Sequence, residues 1–251
     1  GVQAAQKTVG ANIYTPTSLS VFTCAAAVTA LTAISTTTPL KLKLESDLTC
    51  SAASATFLAN VEIEPQGGMI DCGNQATNVT TIQGVIPQTK IFENCPSGAI
   101  LLTGNSVLTE TKAQWWGTVN TASLQAAIAA ACSSTSSRQI KIPSGTTALT
   151  DRLLVSSCDG LTIEGAGDQS TLRQDATWNA TAGKPNIEIR NSDDVTIRNM
   201  KLTNTQTRAT VTGPNVDGSP GRGYIAGVYV VSESGSTSSR TLVENVTVDG
   251  P

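Results

Sequence analysis

An all-β fold, and within it a parallel β-helix, is what this sequence predicts, on three observations. Strand-like runs of about four to six residues recur along the chain, and each stops at Gly, Asn or Pro. Three of them share a bend. Leu161-Thr-Ile-Glu-Gly, Val195-Thr-Ile-Arg-Asn and Leu242-Val-Glu-Asn each place Gly or Asn two residues after an aliphatic expected to be buried (Ile163, Ile197, Val243). Gly and Asn best tolerate a left-handed bend, and recurring strand–bend units mark a solenoid. The third observation is cysteine spacing. Cys24, Cys50, Cys72 and Cys95 are separated by 26, 22 and 23 residues, and Cys132 and Cys158 by 26, near one coil of roughly 20–30 residues. A jelly roll or sandwich is the competing architecture.

Cysteines one coil apart would sit on neighbouring strands at disulfide distance. Of the many connectivities open to six cysteines, the spacing favours Cys24–Cys50, Cys72–Cys95 and Cys132–Cys158. The even count suits an oxidising compartment. Three sequons, at Asn78, Asn179 and Asn245, agree with it as glycosylation acceptors.

In chain order, residues 1–16 read as a polar N-terminal arm. Residues 17–38 follow with "TPTSLSVFTCAAAVTALTAIS", where Leu19, Phe22, Ala26, Val28 and Leu31 give a rough helical period behind a Thr-Pro-Thr-Ser cap. The period then changes to two. "LKLKLES" (40–46) alternates strictly, as a strand with one buried face does. "ATFLANVEIEPQGGMIDCG", "TTIQGVIP", "TKIFENC" and "GAILLTGN" continue in that style. The pattern breaks once, at "KAQWWGTVNTASLQAAIAAAC". Here a Trp pair precedes a short Ala-rich helix near 121–132 that could lie flat against coil edges. Strands resume from "RQIKIPSG" to "RTLVENVTVDG". The span 39–251 is thus one β-helix domain whose last coil reads as truncated or continuing at the C-terminus.

Composition excludes several functions. Aromatic residues are 4% and charged residues 14% of the chain, so the core must be stacked from small and β-branched side chains. Net charge is −3 without a basic run, which argues against nucleic acid. There is no histidine and no Cys-x-x-Cys pair, so neither a metal site nor a cofactor is expected. The longest apolar stretch, "VFTCAAAVTALTAI" (21–34), is too short for a membrane span.

Candidate chemistry is confined to carboxylates. Asp193 and Asp194 could divide acid and base roles, although an Asn-Ser-Asp-Asp turn is also ordinary bend chemistry. Glu188 and Arg190 alternate outward from one strand, and Glu164, Asp168 and Asp175 lie near the preceding coil, where they could line a groove. Asp217 lies in a Gly/Pro-rich excursion of the kind that builds substrate walls. Trp115, Trp116 and Gly117 read as a structural element before they read as a sugar platform. A Trp116→Ala change is expected to destabilise the fold.

The segment "VLTETKAQWWGTVNTASLQAAIAAAC" resembles the Trp-containing turn and following helix of the pectate-lyase-like superfamily of right-handed β-helices, which includes phage tailspikes and secreted polysaccharide-active proteins. "IPQTKIFENCPSGAILLTGNSVLTE" and "RQIKIPSGTTALTDRLLVSS" resemble the flanking strands of that group, and the likeness spans roughly residues 17–210. It implies a right-handed β-helix whose helix at 17–38 is a cap. It also implies a secreted or virion-surface location and binding of a polysaccharide or surface glycan. Any cleavage would be by a lyase or glycoside hydrolase. The family's Asp-Gly-x-x-Asp-Asp-Thr ahead of the helix is replaced by "TVNT", its Gly-His motif is missing, and no catalytic motif matches. The alternative is a non-catalytic subunit of a glycosylated extracellular fibre or surface layer. Its self-association, as a trimer or filament, would come from head-to-tail pairing of open coil ends.

Overall fold

The computed structural model describes residues 12–83, 90–103, 110–134, 138–175, 185–203, 227–232 and 236–249. Among them the chain is mostly β with a few short helices, and every strand pair with a described register is parallel. The span read as one domain divides into two units: residues 1–118 with 129–138, and residues 119–128 with 139–251.

The first unit starts with strand β1 (Ile13–Tyr14), inside the segment expected to be a polar arm. The helix expected over 17–38 is two helices, α1 (Pro16–Leu19) and α2 (Cys24–Ile34). The break has a local cause. Ser20 ends α1 in the left-handed region at φ 55°, and the Thr23 hydroxyl then accepts the Ala26 N–H at 3.2 Å to start a new helix. Phe22 falls between the two and is 60% exposed instead of joining the apolar stripe. That stripe is Cys24, Ala27 and Leu31, all buried.

Nine further strands follow: β2 (Leu40–Leu44), β3 (Leu48–Thr49), β4 (Ala55–Phe57), β5 (Val61–Pro65), β6 (Ile70–Asp71), β7 (Thr80–Ile82), β8 (Phe92–Glu93), β9 (Ile100–Leu102) and β10 (Thr111–Lys112). All but β10 join β1 in three short parallel sheets, β1-β2-β5, β3-β6-β8 and β4-β7-β9. Leu48 stands opposite Ile70 and Ile70 opposite Phe92, steps of 22 residues. Alternation fixes the faces. Leu40, Leu42 and Leu44 of "LKLKL" are buried, while Lys41 reaches Glu62 at 2.9 Å and Glu64 at 3.2 Å on the next strand.

Two disulfides form the pairs the spacing predicted: Cys24–Cys50, Cα atoms 5.0 Å apart, joins the start of α2 to the end of β3, and Cys72–Cys95, at 4.8 Å, lies beyond the paired strands β6 and β8. Cys132 and Cys158 are disulfide-bonded as well, so no thiol is free.

Several sheet edges beside this core are covered. Thr23 bridges Thr49 on β3, and α2 packs on β4. At the far side the Ile91 N–H donates to Trp115 O at 3.0 Å, so the Trp turn continues the β8 ladder. Ser133 Oγ accepts the Leu102 N–H at 2.8 Å and closes β9. Trp115 is wholly buried in this core with Ala130, and Trp116 packs on it, partly buried.

The second unit holds β11 (Gln139–Lys141), β12 (Gly145–Leu149), β13 (Leu153–Ser156), β14 (Thr162–Glu164), β15 (Ser170–Gln174), β16 (Ile187–Arg190), β17 (Thr196–Thr203), β18 (Val228–Val231) and β19 (Leu242–Asp249). Residues 121–128 of helix α3 (Thr121–Ser133) belong to it. Asn120 caps α3, its Oδ1 accepting the Ser123 N–H at 3.0 Å. The Gln125 side chain copies a strand: its amide donates to Leu154 O and accepts the Leu154 N–H, both at 2.8 Å, closing the β13 edge.

One sheet runs β13-β16-β18. In the other, β17 pairs with β14 through residues 196–198 and with β15 through 201–203. The turn between is Asn199 at φ 55°, so the sheet curls there. Asn245 at φ 50° repeats the bend on β19, and Gly165 holds the corresponding place after β14. Gly165 is required for space: a Cβ would stand 2.4 Å from Asn199 O. The bend expected from sequence is thus real, with two reasons for its residues. The steps lengthen, however. Gln139 pairs with Thr162, Thr162 with Thr196 and Thr196 with Leu242, steps of 23, 34 and 46 residues, so the later connections exceed the coil length expected.

Candidate functional site

Three groups of charged side chains stand out in the second unit. On the outer face of β11, β14, β17 and β19 a single row runs Lys141, Glu164, Arg198, Glu244, one residue per strand. Alternation points the intervening Ile140, Ile163 and Ile197 inward, all 0% exposed. Glu164 is the hub. Its Oε2 accepts from Lys141 Nζ at 2.7 Å, Gln139 Nε2 at 2.8 Å and Arg198 Nη2 at 3.0 Å, and its Oε1 from Asn199 Nδ2 at 3.2 Å. The Lys141 hydrogen bond, with that of Arg198, holds the Glu164 carboxyl at about 2, well below its ordinary 4.5. A lowered folded-state pKa contributes stability that is fully present above 4.5 and is lost as pH falls toward 2. Glu164→Gln should therefore remove part of the acid sensitivity between pH 5 and 2. The cost at pH 7 is about 1 kcal/mol once solvent screening is counted. Urea titrations of both proteins across that pH range check it.

The second place is Glu188. It stands on the outward side of β16, yet its side chain is 0% exposed. Arg190 donates to Oε1 from Nε at 3.1 Å and from Nη2 at 2.6 Å. Arg152 Nη1 lies 3.0 Å from Oε2, close enough for an ion pair but off the hydrogen-bond line. Fixed between two guanidiniums and 0% exposed, this carboxylate is held away from any ligand on the outer face.

The third is the turn at Asp193 and Asp194. Asp193 Oδ1 accepts from Ser239 N–H and Oγ, each at 2.7 Å, and its Oδ2 from Thr237 Oγ1 at 3.1 Å. Asp194 sits at φ 57° and takes a two-pronged bond from Arg240, Nε at 2.5 Å and Nη2 at 2.6 Å. Both carboxyls are pulled below the ordinary carboxylate range, Asp193 by the Ser239 hydroxyl and Asp194 by Arg240. The pair clips the turn to residues 237–240 and offers no raised-pKa acid.

The remaining sequence candidates are dispersed. Asp168 accepts from Thr247 Oγ1 at 3.2 Å, and the Asp175 N–H donates to Leu149 O; neither joins Glu164. Asp217 and Asn179 lie outside the described residues. Asn78 donates its Nδ2 to Ser51 O, engaging the nitrogen a glycan would need, and its sequon's Thr80 is wholly buried. Asn245 is exposed and donates to Asn199 Oδ1 at 3.3 Å. Trp115 has no accessible ring face for a sugar. Gly117 closes the Trp turn at φ 95°, its N–H donating to Gln114 O at 3.0 Å.

Sequence reasoning missed Lys141, Arg198, Arg152 and Arg240. The offset of 23 residues from Lys141 to Glu164 matches the cysteine spacing and could have exposed that pair. The 34-residue offset from Glu164 to Arg198 matches no repeat in the sequence.

Among the described residues no cluster of three or more acidic or cysteine side chains is arranged to hold a metal ion. No helix there is long and apolar enough to cross a membrane. Comparison of the chain with protein-family models, curated proteins and solved structures finds no match in any of the three.

Proposed function

We propose that this chain is a secreted or virion-surface protein that binds an extracellular polysaccharide along the outside of a right-handed parallel β-helix of the pectate-lyase-like kind. The uniform parallel pairing supports the β-helix reading, as does the rarity of left-handed crossovers between parallel strands of one sheet. The fully oxidised cysteines suit the extracellular location.

The row Lys141, Glu164, Arg198, Glu244 carries the binding reading. It presents cations and carboxylates alternately at the strand spacing, about 4.8 Å, near the length of one sugar unit in an extended chain. Lys141 and Arg198 keep 40% and 38% of their side chains exposed, enough to reach a ligand's carboxylate or hydroxyls. The reading is of binding without cleavage by the described carboxylates, because Glu188, Asp193 and Asp194 are each committed to cations or turn donors.

A glycan array probed with the protein, followed by titration of the best ligand, tests it. Binding should favour acidic glycans, and Lys141→Ala with Arg198→Ala should weaken it about tenfold or more, the loss of one good charge-assisted contact. Failure to bind any glycan at about 100 μM sinks the proposal. The fibre-subunit reading stands second, favoured by the commitment of Glu188, Asp193 and Asp194 to cations and turn donors.

A further inference from the structure

Among the described residues, one cation has no partner within the fold. Every other described lysine and arginine has an ion pair or a hydrogen bond. Arg173 has neither. It stands inside β15, with β12 on one side and β17 on the other. Alternation turns it outward, since Leu172 and Gln174 beside it are 0% and 1% exposed, and its own side chain is exposed. Asp175, two residues on, is not its partner. Lys201, the other cation on this face, is tied to Asp249 at 2.9 Å.

Register sets what surrounds Arg173. Ala148 lies beside it on β12 and Thr203 on β17, and the adjacent row is Thr146, Thr171 and Lys201. Ala148 carries only a methyl group, so it does not screen the guanidinium on that flank. The hydroxyls of Thr146, Thr171 and Thr203 have no hydrogen-bond partner among the described residues. A planar guanidinium beside free hydroxyls, at a cross-strand spacing of about 4.8 Å, is the donor set that holds a carboxylate or sulfate group by parallel bonds. At Lys141 and Arg198 such a group must compete with Glu164. At Arg173 it displaces only solvent.

We infer that Arg173, with the Thr171 and Thr203 hydroxyls beside it, is the contact that recognises the carboxylate or sulfate group of an acidic polysaccharide. The inference rests on the glycan reading for the class of ligand, but not on the row that carries that reading. It assigns the anionic group to the face of β12, β15 and β17, beyond the bend at Asn199, and makes Arg173 a specificity-determining residue. Charge complementarity selects the ligand: an unpaired cation among neutral hydroxyls favours an anion and gives a neutral polymer only hydroxyl contacts.

Titration calorimetry of the full 251-residue chain at low salt tests it, with alginate, dextran sulfate and neutral dextran as probes. The first two separate a carboxylate from a sulfate as the anion. The wild type should bind at least one of them, and neutral dextran about tenfold more weakly or not at all. Arg173→Gln should weaken binding of the charged polymer about tenfold or more. Thr203→Val, which removes one hydroxyl at nearly constant size, should weaken it about threefold. Lys43→Gln removes the same charge from β2 in the first unit and should leave binding unchanged. Because Arg173 is exposed and unpaired, circular dichroism should show Arg173→Gln folded as the wild type is. Binding of neither charged polymer at about 100 μM, wild-type affinity in Arg173→Gln, or an equal loss in Lys43→Gln would each overturn the inference. The two proposals fail separately. Wild-type affinity in Lys141→Ala with Arg198→Ala removes the row and leaves Arg173 standing, and wild-type affinity in Arg173→Gln alone does the reverse.

Discussion

Trp115→Ala is expected to cost about 3–5 kcal/mol, the loss for a large aromatic removed from a packed core. Trp115 is 0% exposed, among the largest buried side chains in the chain. Its ring centroid lies 6.4 Å from that of Trp116, which in turn lies 4.8 Å from Phe92. Trp115 O also receives the Ile91 N–H at the end of the β8 ladder, a main-chain bond that the alanine variant keeps. Trp115→Phe separates these contributions. The buried indole N–H of Trp115 has no acceptor among the described residues, and leaving such a donor unpaired costs about 1–3 kcal/mol. The phenyl ring discards that penalty while keeping most of the packing, so Trp115→Phe should lose far less than Trp115→Ala. The expectation from sequence was that Trp116→Ala destabilises the fold. That residue is partly buried, and its truncation should cost less than that of Trp115. Denaturant unfolding of the three variants ranks them. Equal losses for Trp115→Ala and Trp116→Ala would contradict the packing described.

The second large effect is at the buried ion cluster. Arg190→Ala strips both hydrogen bonds from Glu188 Oε1 and leaves a carboxylate without solvent access facing Arg152 alone. Breaking a buried pair in this way costs about 3–5 kcal/mol, mostly the penalty of the stranded charge. The diagnostic is the double variant. Adding Glu188→Gln removes the stranded charge, so Arg190→Ala/Glu188→Gln should be more stable than Arg190→Ala alone. Glu188→Gln by itself should cost less, since Arg152 and Arg190 remain about a quarter exposed and can turn to water. Thermal unfolding of all four proteins closes the cycle. Strictly additive losses would mean that Glu188 and Arg190 do not act as a pair.

Parts of the fold were legible for local reasons. Alternation in "LKLKL" fixes which residues face inward, because a strand has a period of two whatever surrounds it. Gly165, Asn199 and Asn245 could be picked out because few residues turn a chain sharply at the end of a strand. The cysteine intervals predicted Cys24–Cys50 and Cys72–Cys95 because the connections in that part of the chain are short and regular. The break between α1 and α2 was hidden, since a period of 3.6 can be traced through Phe22, and only the competing Thr23 cap shows where the helix restarts.

The charged clusters were less legible. Asp193 and Asp194 were noticed for being adjacent, yet their partners Ser239 and Arg240 lie 46 residues away. Glu188 and Arg190 were seen as outward-facing, which is true of the strand. The burial of Glu188 depends on Arg152, brought alongside by the pairing of β13 with β16.

What the sequence by itself determined is therefore local: strand faces, bend residues, the short helices, the oxidised cysteines and the exclusion of histidine chemistry. Tertiary structure alone decided which side chains meet across strands, and that β8 and β9 are closed by the Trp turn and Ser133. The physical reason is the variable length of the connections. Side-chain direction is set within two or three residues, but which charge lies beside which depends on register between strands, and steps that grow from 23 to 34 to 46 residues remove any fixed period from which that register could be read.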